Sequence, residues 1–109
     1  MLDVKFEETG GALVVTPGVK RLDALVAADF RALVGDRAAK ANVVVVALAD
    51  VLFVDSSGLA ALISVLKRVP PGGQVRLAQA SSAVRSLLNI THLEKVFPVY
   101  DSVAAAVRG

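Results

Sequence analysis

The sequence contains no cysteine and no tryptophan, one histidine, and only five aromatic residues, four Phe and one Tyr. Without cysteine the chain forms no disulfide bond and offers no thiolate ligand to a metal, which fits a reducing compartment. The longest uninterrupted apolar run, residues 43–49, is far shorter than a membrane span. The first residues also lack the basic and apolar segments of a secretory signal. We therefore expect a cytoplasmic protein that does not insert directly into a membrane.

An excess of charge of one sign is missing as well. The formal net charge is +2, and acidic residues interleave with basic ones through the first half of the chain. A nucleic-acid surface needs clustered positive charge, often with aromatic side chains among the basic residues. Because the sequence has no such cluster, we expect no nucleic-acid partner.

What is present is a chain of 109 residues, 55% hydrophobic, in which short apolar runs alternate with charged and turn residues. This length suits one domain with its own core, and the composition excludes disorder. We expect a single domain over residues 1–109. The patterns predict five strands, over residues 5–8, 12–16, 43–48, 75–78 and 96–100. They also predict four helices: residues 24–40, residues 57–69, a short helix capped by Ser81-Ser82, and a last helix from Asp101 or Ser102 to residue 107.

This order, β-β-α-β-α-β-α-β-α, predicts the α/β class. The first two strands flank Thr9-Gly10-Gly11 and form a hairpin, whereas strands joined through helices become parallel neighbours. Residues 43–48 are apolar without alternation, which is typical of a strand covered on both faces. The proline in residues 96–100 indicates an edge strand. The expected fold is a mixed β-sheet with helices packed against it.

The first helix is predicted to begin after Asp23, because aspartate is a favoured N-cap. Its apolar face is predicted to carry Leu22, Val26, Phe30, Leu33 and Val34.

The most informative stretch is Asp55-Ser56-Ser57-Gly58, a turn between an apolar run and a helical pattern that starts at Leu59. Two hydroxyls therefore lie at a helix N-terminus, where free backbone N–H groups favour an anion. Taken alone, the tetrapeptide is explained by helix capping. In its context, Ser56 or Ser57 is a candidate phosphorylation site.

The surrounding sequence closely resembles the STAS domain of bacterial anti-sigma factor antagonists. The resemblance rests on residues 50–59, the Gly72-Gly73 turn, Leu77-Ala78, residues 83–88, Leu93 and Val96-Phe97. It covers about the last two-thirds of the chain, and the opening hairpin and first helix fit in order. It implies a single STAS domain of the α/β class.

The resemblance also implies a function. In that family the second serine of the Asp-Ser-Ser-Gly turn is the phosphoacceptor, which corresponds to Ser57, with Ser56 as the weaker candidate. Asp55, Ser56 and Gly58 would form the turn, and Gly58 would leave room for close approach by a partner. The implied partner-binding residues are Asp23, Asp55, Ser56, Ser57 and Gly58. The unphosphorylated domain would bind an anti-sigma factor that is a serine kinase, phosphorylation would release it, and a phosphatase would reset the switch. Nucleotide and metal belong to the kinase, so the resemblance implies no cofactor and no enzymatic activity for this chain.

One feature departs from the family pattern. A Gly-x-Leu-Asp sequence commonly precedes the first helix in this family, but Gly18 lies five residues before Asp23 instead of three. The loop is therefore longer or differently placed. Asp23 itself fits a plain N-cap and a partner contact equally well.

Other chemistries fit the residues poorly. A serine hydrolase needs a base, and the one histidine, His92, lies in a loop-like segment without a carboxylate partner. A response-regulator receiver needs an acidic pair after its first strand, whereas Glu7-Glu8 precede a hairpin. Asp50 and Asp55 alone make a poor cation site, so no metal is expected, and no phosphate-binding loop supports a nucleotide or small-ligand binder. The alternative that stays open is a STAS adaptor that is not phosphorylated, a subunit of a transport or stress-signalling complex.

Overall fold

A computed structural model describes residues 2–109 of the chain and contains seven strands. In chain order they are β1 (Val4–Thr9), β2 (Ala12–Pro17), β3 (Arg21–Leu22), β4 (Val43–Ala47), β5 (Phe53–Val54), β6 (Gln74–Ala78) and β7 (Val99–Tyr100). Five of them form a sheet in the order β1-β2-β4-β6-β7, and β3 pairs with β5 in a second sheet. The β1–β2 pair is antiparallel and every other pair is parallel. The predicted mixed sheet is confirmed.

Four α-helices connect or follow these strands: α1 (Ala27–Ala38), α2 (Ser56–Arg68), α3 (Ser82–Ile90) and α4 (Val103–Arg108). A short 3-10 helix, Leu93–Lys95, precedes β7. Within residues 2–109, no helix combines the length and the apolar character needed to cross a membrane.

The main sheet buries both of its faces, as the unbroken valine run in β4 predicts. Side chains alternate between the two sides of a strand. Val44 and Val46 pack into the larger apolar cluster, to which α1, α2 and α3 contribute. Val45 and Ala47 lie in a smaller cluster beneath α4, which contributes Ala106. The mixed sheet therefore has three helices on one face and one short helix on the other.

Two helix starts match their predicted caps and one does not. The hydroxyls of Ser81 and Ser102 accept backbone N–H bonds at the starts of α3 and α4. The assignment of Asp23 as the N-cap of the first helix is wrong, because that helix begins at Ala27 with Val26 at the cap position and no side-chain cap. Asp23 instead holds the turn that precedes the helix, since its carbonyl oxygen accepts from the amides of Val26 and Ala27.

Two further expectations need correction. Leu33 does not join the buried face of α1, because 47% of it is exposed; Ala27, Gly35 and Ala38 complete that face with Phe30 and Val34. The edge strand is shorter than predicted. Pro98 lies just outside β7, and the 3-10 helix and a turn occupy the residues before it.

The pair of two-residue strands, β3 and β5, was not predicted. Their register places Arg21 opposite Phe53 and Leu22 opposite Val54. This small sheet joins the loop after β2 to the segment that leads into α2, and it positions the candidate site.

Candidate functional site

The candidate site lies where the two strands of the small sheet end. Because β3 and β5 are parallel and in register at Leu22 and Val54, the residues that follow them, Asp23 and Asp55, lie at the same end of neighbouring strands. The amide of Asp55 donates to the carbonyl oxygen of Leu22 at 3.3 Å, which closes this end of the pair. The structure therefore brings Asp23 beside the turn that contains Ser57, two segments far apart in the sequence.

The small sheet has a buried face and a solvent face. Leu22 and Val54 point into the core and are 0% and 5% exposed. Arg21 and Phe53, their immediate neighbours, are exposed. The alternation of side chains along a strand therefore puts Arg21, Phe53 and the two aspartates toward solvent.

Asp55 is the N-cap of α2, and its conformation is extended, with φ −97° and ψ −174°. Its Oδ1 accepts a hydrogen bond from the amide of Gly58 at 2.9 Å. Within residues 2–109, no acceptor binds the amides of Ser56 and Ser57. Two N–H groups at the positive end of the helix thus remain free for an anion. Ser56 is exposed and Ser57 is half-buried.

Gly58 allows the close approach of α2 to β3. A Cβ built on Gly58 would meet the carbonyl oxygen of Leu22 and would lie 2.8 Å from its carbonyl carbon. Any side chain here would push the N-terminus of α2 away from the small sheet, because the obstacle is main chain and cannot rotate aside. The glycine of the turn is therefore required by packing against Leu22, in addition to any role in contact with a partner.

Asp23 organises the segment between β3 and α1. Its Oδ1 accepts from the amide of Leu25 at 3.1 Å, and its Oδ2 lies 3.4 Å from Nε of Arg21. The turn that results presents Leu25 to solvent, with 90% of the residue exposed. Asp23 thus has a structural role in a turn, and its half-buried carboxylate still lies at the surface beside Asp55.

Exposed apolar residues lie in the segments that carry these polar groups. Leu25 follows Asp23, and Leu52 and Phe53 lead into the Asp55–Gly58 turn with exposures of 60% and 40%. The guanidinium of Arg21 lies over the ring of Phe53, 4.4 Å from its centroid. Exposed apolar residues bordered by polar groups are typical of a protein–protein contact surface.

Gly18 takes no part in this site. Its amide donates to the carbonyl oxygen of Asp3 at 2.7 Å, which ties the start of the loop to the beginning of β1. The carbonyl oxygen of Lys20 accepts from the amides of Leu52 and Phe53 at 2.8 and 3.2 Å. The loop between β2 and β3 is therefore anchored twice, first beside the start of β1 and then beside β5. The second anchor places Asp23 next to the Asp55–Gly58 turn although the loop is longer.

The structure brings the predicted site residues together: Asp23, Asp55, Ser56 and Ser57 lie at one surface, and Gly58 is buried beneath it against Leu22. Their roles remain predictions. His92 lies in an exposed loop. Within residues 2–109, no group of three His, Cys, Asp or Glu side chains is placed to hold a metal ion.

Arg21, Leu25 and Phe53 were missed as members of this surface. The apolar pair Leu52-Phe53 just before the turn was the one sequence clue, and its exposure is visible only in the structure. It gained meaning only when the β3–β5 register placed Arg21 and Asp23 next to it.

Comparison with known proteins supports the resemblance found in the sequence. The family model described as "STAS domain" matches residues 3–106. A protein from Thermotoga neapolitana, named provisionally as an anti-sigma factor antagonist, is 31% identical over 67 residues, which are 61% of this chain and 59% of the relative. The match thus spans less than two thirds of that relative. The expected family is confirmed, and the chain is a distant homologue of anti-sigma factor antagonists.

Solved structures support the fold. The crystal structure of an anti-sigma factor antagonist from Mycobacterium paratuberculosis gives a TM-score of 0.87 at 23% identity, covering 99% of this chain and 92% of that one. The Bacillus cell fate determinant SpoIIAA in its phosphorylated form gives 0.72 at 17% identity, covering 97% and 98%. At these identities the likeness shows the fold alone, and the predicted STAS fold is confirmed.

Proposed function

We propose that this chain, which belongs to the STAS domain family, is an anti-sigma factor antagonist whose binding is switched off by phosphorylation of Ser57. The observation that carries the proposal is the position of Ser57. It lies in the first turn of α2, beside two free amides, on a surface shared with Asp23 and exposed apolar residues. A binding surface and a modifiable hydroxyl therefore coincide.

The proposed partner is an anti-sigma factor that is also a serine kinase. In the unphosphorylated state the surface around Ser57 docks on this partner and frees a sigma factor. The kinase then transfers the γ-phosphoryl group of its Mg-ATP to Oγ of Ser57, and the hydroxyl proton leaves to a base of the kinase. A phosphatase removes the phosphate and restores binding. We place this cycle in the cytoplasm, with no nucleic acid bound by this chain and no catalytic group supplied by it.

Physical chemistry explains how one phosphate could act as the switch. Phosphoserine carries about −1.5 to −2 charges at neutral pH. Within the domain this charge lies beside the free amides of Ser56 and Ser57, so we expect the fold to survive. In a docked interface the same charge loses its hydration and lies close to Asp23 and Asp55. Each ~1.4 kcal/mol of that penalty weakens binding tenfold, so release needs no large conformational change.

The first test is mass spectrometry of the protein recovered from its native cells. A phosphate on the peptide at Ser57 would support the proposal, whereas a phosphate on Ser56 would move the acceptor by one residue. Absence of phosphate under all growth conditions would favour the adaptor, the STAS domain that docks without being modified.

Two substitutions test the switch directly against the isolated partner. Ser57→Asp should bind the partner more weakly than the wild type. Ser57→Ala should bind at least as well as the wild type and should not be released by ATP. Equal affinity of the two variants would contradict a charge-based switch. Circular dichroism should show both folded, because the position is at a helix start and only half-buried.

A further inference from the structure

The solvent face of the small sheet carries the cation Arg21, which contacts an aromatic ring and a carboxylate. Its guanidinium stacks on Phe53 at 4.4 Å from the ring centroid, and its Nε lies 3.4 Å from Oδ2 of Asp23. Asp55 follows β5 at the corresponding end. Before any phosphorylation, the ionic partner of Arg21 on this face is Asp23.

The contact between Arg21 and Asp23 is weak. A distance of 3.4 Å is longer than the 2.7–2.9 Å of a strong charge-assisted hydrogen bond. The Arg21 side chain is 64% exposed, so water and salt screen the pair. Arg21 is held mainly by stacking and is free to change its ionic partner at small cost.

A phosphate on Ser57 would be a better partner for Arg21 than Asp23 is. It offers three acceptor oxygens and up to two charges, and a guanidinium binds such a group through two parallel N–H bonds. The two residues are also close enough in the backbone. Leu22, next to Arg21, has its carbonyl group against Gly58, which is next to Ser57. A long, mobile arginine side chain can cross that separation.

We propose that, once Ser57 is phosphorylated, Arg21 breaks its contact with Asp23 and binds the phosphate. This inference rests on the proposed function, because it names a residue that would stabilise the phosphorylated state of the same switch. Arg21 lies outside the Asp-Ser-Ser-Gly turn. Its assignment follows from the β3–β5 register and from its contacts with Phe53 and Asp23.

The test uses the full chain with phosphoserine installed at position 57 during synthesis, so that no kinase is needed. The second pKa of the phosphate is measured by a phosphorus NMR titration from acid to neutral pH. An arginine that binds the dianion lowers this pKa, so Arg21→Gln should raise it by about half a pH unit or more relative to the wild type. Arg21→Lys, which keeps the charge and loses the fork, should give an intermediate value.

Lys20→Gln is the matched control, because it removes the same charge from the adjacent exposed residue. It should change the pKa of the phosphate much less than Arg21→Gln does. Equal changes in the two variants, or no change in either, would overturn the assignment of Arg21. Amide NMR spectra check that each variant keeps the wild-type fold. If Ser57 carries no phosphate in cells, the proposed function fails, whatever the titration shows for Arg21. If cells phosphorylate Ser57 but the titration shows no role for Arg21, only the inference about Arg21 fails.

Discussion

Substitution of Gly58 by alanine should destabilise the protein, although alanine is the better helix former. In an unobstructed helix the change would stabilise by up to about 1 kcal/mol. Here the new methyl group would collide with the main chain of Leu22, 2.8 Å from its carbonyl carbon. Overpacking a rigid site costs about 1–3 kcal/mol, and a main-chain obstacle favours the upper end. The net loss should be about 2 kcal/mol in the free energy of unfolding.

Gly35→Ala is the matched control for this experiment. Gly35 is also a buried helical glycine, but a Cβ there would meet Nη1 of Arg68 at 2.9 Å, the far end of a flexible and half-exposed side chain. Arg68 can move aside, so this variant should be as stable as the wild type or more stable by up to about 1 kcal/mol.

Urea denaturation of the two variants and the wild type measures both effects. In thermal unfolding, a loss of about 2 kcal/mol corresponds to a fall of roughly 9 °C in melting temperature for a domain of this size. Opposite signs for Gly58→Ala and Gly35→Ala would support the close approach of α2 to β3. If Gly58→Ala is as stable as Gly35→Ala, the packing of Gly58 against Leu22 described above is wrong. Gly58→Ala should also weaken binding to the partner, because the turn must shift.

Three further substitutions test the site. Asp55→Ala removes the N-cap of α2 and should lower the free energy of unfolding, measured by urea denaturation, by about 1 kcal/mol. Ser81→Ala removes the cap of α3 and should lower it by a similar amount, but should leave partner affinity unchanged. Equal loss of affinity in both variants would show a general stability effect. Leu25→Asp should weaken partner binding at least tenfold by calorimetry, whereas Ile90→Asp, at a residue 77% exposed on α3, should not. Asp23→Ala should release the turn that presents Leu25 and so weaken binding in the same assay, and unchanged affinity would separate Asp23 from the docking surface.

Most of the fold could be predicted from the sequence because each main element has a local cause. The valine run makes β4 a buried central strand, and two glycines with φ of +57° and +81° make the hairpin turn. Ser81 and Ser102 cap their helices by their own hydroxyls. In each case the determining residues lie within a few positions of the element that they define.

The remaining features depend on contacts between distant segments. A two-residue strand has no periodicity, so β3 and β5 are defined only by their pairing. The prediction that Asp23 caps α1 is wrong because an aspartate side chain holds a turn as readily as it caps a helix. Here its hydrogen bond with the amide of Leu25 holds a turn. The Asp55–Gly58 turn could be predicted from local residues, whereas the neighbours Arg21, Leu25 and Phe53 could not.

The small sheet also sets how the site moves. Closing the loop between β3 and β5, which are far apart in the chain, carries an entropy cost. The two residue pairs, the hydrogen bonds to the carbonyl oxygens of Lys20 and Leu22, and the burial of Leu22 and Val54 repay it. One face of this pair is exposed at Arg21 and Phe53, whereas β4 is covered on both faces, and segments nearer to solvent open at lower free energy than the core. The amide of Asp55 should therefore exchange with deuterium faster than the amides of β4. Opening of this pair would loosen the proposed docking surface as a local unit while the central sheet stays intact, so a partner that binds there would hold the two segments together.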